Sequence, residues 1–298
     1  MDQAAFDAEP VEPRASTDRG STARRLALGT QLRQLREQAR LSREDAADAL
    51  RASPAKISRL ELGRVRIKER DVVDLLTLYG ISEPAERAEF VELTRESNVP
   101  GWWQRYADLL PRWFETYLGL EQACSLIRTY EAQFVPGLFQ IPEYARAVTR
   151  LSFDDDAEVE RRVELRMRRQ RILTADDPPT VWAVIDEAAL SRPLAGRDLC
   201  RAQLDHLIEL TELPNVQIQI APFDSGGHAA AGGPFSILRF REPDIPDIVY
   251  LEQLSSAIYL DRRQDVETYL WVMDRLTSQV EQPDKTRPIL SELRRRLS

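Results

Sequence analysis

Between residues 26 and 96 the apolar positions recur at helical spacing and polar residues fill the gaps. Leu28, Leu32, Leu35 and Ala39 form one face of a first helix, with Arg33, Arg36 and Arg40 between them. Ser42, with Asp45 three residues on, is a capping-box start for a second helix, whose buried side is read as Ala46, Ala49 and Leu50. Small residues there let a neighbouring helix approach closely. Arg51-Ala52 makes a tight connection. Ser53 then caps a third helix, and Pro54 takes its first position, where a missing N–H costs nothing. Ile57 and Leu60 give this helix its apolar stripe, and Gly63 provides a left-handed stop. A fourth helix carries Val72, Val73, Leu75, Leu76 and Tyr79 and ends at Gly80; a fifth runs from Pro84 to about Glu96.

After a linker at Glu96–Gly101 the pattern changes. Trp102, Trp103, Tyr106, Trp113, Phe114 and Tyr117 stand at helical spacing and are read as core or interface rather than a base-stacking platform. Residues 123–140 open with strand-like alternation, broken at Pro136-Gly137. Residues 158–174 form a charged helix, in which pairs such as Glu158–Arg162 and Glu164–Arg168 favour a salt-bridged surface over a second nucleic-acid patch. Residues 181–190, 216–223, 235–240, 247–254 and 256–260 alternate or are β-rich. Helices are expected at 198–213, at 263–280 and in the basic C-terminus. The division is therefore a tail over 1–22 expected to be disordered, an all-α domain over 23–96, and an α+β domain over 101–298 with an antiparallel or mixed sheet.

Composition narrows the function classes. The chain has 298 residues, of which 43% are hydrophobic and 30% charged, the profile of an ordinary soluble globular protein. No run approaches the ~18 apolar residues of a membrane helix, and the N-terminus lacks the apolar core of a signal peptide. Cys124 and Cys200 are the only cysteines, so neither a disulfide scaffold nor a zinc site is expected. A cytoplasmic location follows. The net charge of −8 is unevenly spread: residues 21–70 hold thirteen Lys and Arg against six Asp and Glu, a net of +7 that leaves −15 for the rest. A basic block on an acidic body suggests a nucleic-acid-binding module, or, more simply, a solvated basic face.

Two short helices joined by a tight turn, the second capped, make the helix-turn-helix layout. Residues 26–80 resemble the xenobiotic-response-element family, the Cro/lambda-repressor type; the most specific match is SPAKISRLELG from Ser53 to Gly63. The chain departs from that family in carrying Arg51 where Gly is usual, a position where a side chain carries about 1 kcal/mol of strain. With Ile57 and Leu60 inward, Ala55, Lys56, Ser58 and Arg59 face outward, toward a major groove. Arg59 has the fork that matches guanine O6 and N7, and Ala55 is placed for a thymine methyl. Ser53, Lys56, Arg43 and Arg64 are assigned to phosphates. The resemblance also implies a structural pair between Arg36 and Glu61.

The later half has its own resemblance. GWW at Gly101, FVPGLFQ at Phe134, YARA at Tyr144, RMRRQRIL at Arg166, DEAAL at Asp186, AQLDHLIEL at Ala202, PNVQIQIAPF at Pro214 and YLEQL at Tyr250 occur in the same order in the antitoxin-like transcriptional regulators of actinobacteria. This resemblance implies a small acidic partner protein bound by the C-terminal domain. No catalytic residue, metal site or cofactor is expected. His206 and His228 are read as structural, the Gly-rich loop 225–233 lacks a phosphate-loop ending, Asp154–Asp156 caps a helix, and no second carboxylate or nucleophile motif can be placed near Asp186-Glu187. The expectation is a sequence-specific regulator that binds double-stranded DNA as a homodimer. The alternative is a protein-interaction module or small-ligand sensor with an accessory DNA-binding domain.

Overall fold

The computed structural model describes residues 19–194, 196–242 and 245–297. Five helices come first: α1 (Arg19–Gln38), α2 (Arg43–Ala49), α3 (Pro54–Glu61), α4 (Glu69–Leu78) and α5 (Pro84–Ser97). Their shared core holds Leu28, Leu32, Ala46, Ala47, Ile57, Leu60, Val72, Leu75 and Leu76. Two details differ from the sequence reading. On α2 the second buried alanine is Ala47, while Ala49 is exposed, because Ala46, Ala47 and Leu50 share one face of the turn and Ala49 lies off it. Ala39 lies in the turn after α1 and is exposed.

Helix α1 starts at Arg19, inside the segment expected as tail; residues 1–18 of that segment lie outside the described residues. The early start has a packing reason. Ser21, Thr22 and Leu26 are buried, Leu26 in the core of the C-terminal domain and Leu28 in that of the helical domain, so one helix serves both. The expected linker is also held: the Arg25 guanidinium donates to the Ser97 carbonyl at 3.0 Å, and the Asn98 amide donates to the Ile67 carbonyl at 2.7 Å.

The C-terminal domain is built on a six-stranded mixed sheet. Its strands are β1 (Leu126–Glu131), β2 (Thr180–Asp186), β3 (Val216–Ala221), β4 (Phe235–Arg239), β5 (Ile248–Glu252) and β6 (Ala257–Leu260), in the order β3-β2-β1-β4-β5-β6. β1, β2 and β3 run parallel, while β4, β5 and β6 pair antiparallel. One face packs on α6 (Arg112–Ala123), α7 (Pro142–Thr149), α10 (Arg197–Leu210) and α12 (Thr286–Arg296), the other on α11 (Arg263–Gln279). Burial on both faces explains why β2 reads as a nearly continuous apolar run, whereas β3 alternates and buries Gln219 on its polar side. The run expected as one strand over 181–190 instead stops at Asp186. Its carboxylate caps the short α9 (Glu187–Ser191) by accepting from the Ala188 N–H at 2.8 Å.

α8 (Asp156–Gln170) is salt-bridged, as read, with partners that sequence spacing does not reveal. Glu158 pairs with Arg162 at 2.7 Å, and Glu164 accepts from Arg105, 59 positions away, at 2.7 Å. Arg169 turns inward and makes two hydrogen bonds to the buried Glu121, at 2.8 and 3.0 Å.

Glu131 closes β1. Burial, and then repulsion from Glu252, push its carboxyl up to about 8 from an ordinary value of 4.5. Between those values the unfolded chain has released a proton that the folded chain keeps, so stability falls as pH rises through the window. Below it both states are protonated and the penalty vanishes. Glu131→Gln is expected to flatten this decline, read as urea midpoints from about pH 5 to about pH 8; parallel declines in parent and variant would contradict it.

Candidate nucleic-acid interface

α2 and α3 form a capped pair. The Ser42 hydroxyl accepts from the Asp45 N–H at 3.1 Å, and the Ser42 N–H donates to the Asp45 carboxylate at 2.8 Å. Ser53 repeats the device, accepting from the Lys56 N–H at 3.2 Å, with Pro54 opening α3. Ile57 and Leu60 are buried, so Ala55 and Arg59 lie on the exposed side with Ser58 half-buried beside them. α1 seats this pair closely. A Cβ on Gly29 would stand 2.5 Å from the Glu61 carbonyl oxygen, so only glycine fits there. Gly63, at φ 61°, ends α3 in the left-handed region.

The cations of this domain divide into two groups. Glu61, buried at the end of α3, accepts from Arg36 at 2.5 Å and from Arg43 at 2.9 Å, so the Arg36–Glu61 pair forms and Arg43 joins it. The Lys56 ammonium donates to Asp71 at 2.9 Å. Arg64 turns away from the outward face of α3. It donates to the Tyr259 carbonyl at 3.1 Å and lies 5.1 Å over that ring. Burial holds its guanidinium below the ordinary arginine value. Of the four groups assigned to phosphates, Arg43, Lys56 and Arg64 are thus engaged within the chain, and Ser53 caps α3 while remaining exposed.

A second group remains free. The side chains of Arg40, Arg51, Arg59, Arg66 and Lys68 are exposed and make no hydrogen bond or ion pair among the described residues. Arg40 ends the turn after α1 at φ 58°, Arg51 sits in the α2–α3 turn at φ 49°, and Lys68 is the N-cap of α4. The sequence signal for Arg51 was its place in a turn that favours glycine. Arg51→Gly is expected to raise stability by roughly 0.5 kcal/mol, left-handed strain outweighing the entropy of glycine. The same change is expected to lower the salt-dependence slope of duplex binding by about one. Thermal denaturation and salt titration check the two halves; a lower Tm refutes the strain argument.

Elsewhere the sheet brings together residues far apart in sequence. The Tyr130 hydroxyl lies 3.2 Å from the Asp186 carboxylate and 3.0 Å from Nε2 of His228. Glu187 accepts from the Phe223 N–H at 3.0 Å, and Asp155 caps α8 through the Glu158 N–H at 2.7 Å. Among the described residues no three His, Cys, Asp or Glu side chains form a metal-binding group, and no helix is long and apolar enough to cross a membrane.

Residues 27–90 match the family described as a helix-turn-helix domain, and residues 114–292 match the one described as a domain of unknown function, DUF5753. Comparison with curated proteins and with solved structures finds no match.

Proposed function

This chain belongs to the DUF5753 family and carries a helix-turn-helix domain ahead of that family's own, and from this premise we propose that it is a sequence-specific transcriptional regulator. The supporting observation is the outward face of α3. Arg59 stands there exposed and unpartnered beside Ala55, while the neighbouring cations Lys56, Arg43 and Arg64 are held by Asp71, Glu61 and the C-terminal domain. Arg59 reads a guanine edge in the major groove, and Arg40, Arg51, Arg66 and Lys68 supply phosphate contacts around it. The protein acts in the cytoplasm, on double-stranded DNA, as a homodimer reading paired half-sites. Asp186 and Glu187 already hold backbone N–H groups, which fits a binding protein better than an enzyme.

The test is a binding titration on a duplex selected from a random pool and on a scrambled duplex. Arg59→Ala is expected to cost about 1–3 kcal/mol on the selected site and to relax preference at one base pair. Equal losses on both duplexes would remove the base-reading role.

A second reading, an antitoxin-like protein of the actinobacterial type, gives the C-terminal domain a small partner protein. The exposed Leu254, Ile258 and Trp271 support it as apolar contact candidates. An acidic partner has the −15 charge of the body against it. Affinity capture with the full chain, with Trp271→Ser as control, tests this reading; a partner retained equally by both argues against Trp271 as a contact.

A further inference from the structure

Between the two domains lies a cleft of about 260 Å³, close to the volumes that hold small organic molecules. Leu26 and Leu62 supply apolar wall from the helical domain, and Ile245 and Ile248 supply it from the sheet domain. Thr30 faces it from α1, and Asp261, just past β6, faces it from the other side.

The charges around the cleft are unevenly satisfied. Arg33 and Glu37 at the rim pair with each other at 2.9 Å, and Glu61 is held by Arg36 and Arg43. Asp261 differs. Its side chain is only 16% exposed, and its nearest cation is Arg64 at 3.9 Å, a group already donating to the Tyr259 carbonyl. Among the described residues nothing donates a hydrogen bond to this carboxylate. A half-buried carboxylate without a donor gains most from a cationic N–H group.

We propose that this cleft is a binding site for a small amphipathic ammonium compound. Its cation pairs with Asp261 and its hydrocarbon part packs between Leu26, Leu62, Ile245 and Ile248. Because the walls come from two domains, occupancy favours their packed arrangement. The proposal does not depend on the DNA reading, since its readout is direct binding.

The experiment is calorimetric titration of the full chain with hexylammonium, using hexanoate and hexanol as the charge-reversed and neutral controls. Hexylammonium is expected to bind once per chain with Kd on the order of 0.1–1 mM, and hexanoate not to saturate. Asp261→Asn is expected to weaken hexylammonium binding about tenfold or more. Thr30→Phe, which fills the cleft, is expected to abolish it. Circular dichroism melts show that both variants fold. Hexanoate binding as tightly as hexylammonium, unchanged affinity in Asp261→Asn, or no saturation by hexylammonium would each overturn the site.

Discussion

Replacing Glu61 by Gln is expected to destabilise the helical domain by about 3–5 kcal/mol, the usual cost of removing one member of a buried ion pair. Glu61 is 1% exposed and Arg36 8%, so the change strands a guanidinium that water cannot reach. Arg36 retains its hydrogen bond to the Leu41 carbonyl at 2.7 Å and a long contact, 3.5 Å, to the exposed Glu37. Arg43, half exposed, loses less because water can solvate it. The effect extends to function, since Glu61 ends α3 and fixes the helix that carries Arg59 against α1. Urea unfolding measures the loss. The double change Arg36→Met with Glu61→Leu is expected to recover most of it, because an apolar pair of similar volume carries no stranded charge. A loss below about 1 kcal/mol for Glu61→Gln would show that the pair is solvated rather than structural.

Glu121→Gln is expected to cost a similar 3–5 kcal/mol in the C-terminal domain. The Arg169 fork meets the Glu121 carboxylate through two hydrogen bonds, with side-chain exposures of 9% and 2%. Burial works against the charge on Arg169, yet the Glu121 carboxylate and its hydrogen bonds hold the guanidinium above its ordinary value. The rings of Phe114 and Tyr117 lie 5.2 and 5.6 Å from it. Arg169→Lys is not expected to preserve stability, because a single ammonium cannot make the paired contact. Equal unfolding midpoints for Arg169→Lys and the parent chain would contradict that geometry.

Local signals made much of this fold legible. The capping box at Ser42–Asp45, the Ser53-Pro54 start, Gly63 and Gly80 each act within one turn, and each is where the residues placed it. The β-rich runs also became strands, since alternation and branching are properties of the segment itself. What sequence could not show was which distant group meets which. Arg169 stands in a row of arginines on α8, and nothing in that row separates the one that meets Glu121 from the others. Arg64 and Tyr259 are 195 positions apart, and Tyr130 and His228 are 98 apart, so neither contact has a local pattern. The DNA-facing set shifted for the same reason. Lys56 and Arg43 lie on the expected side of their helices, but Asp71 and Glu61 reach them first.

Because Leu26 fills one core and Leu28 the next, α1 is a rivet rather than a hinge. An engineer wishing to graft this recognition module onto a related chain cannot cut at residues 97–101. The transplanted helix would carry Leu26 onto a foreign α6, and Thr22 onto whatever replaces Gly119, where a Cβ would stand 2.7 Å from its hydroxyl. Ending the unit after α6 would only move the seam, since α6 itself packs on the sheet and holds Arg169, so the two domains are exchanged together or not at all.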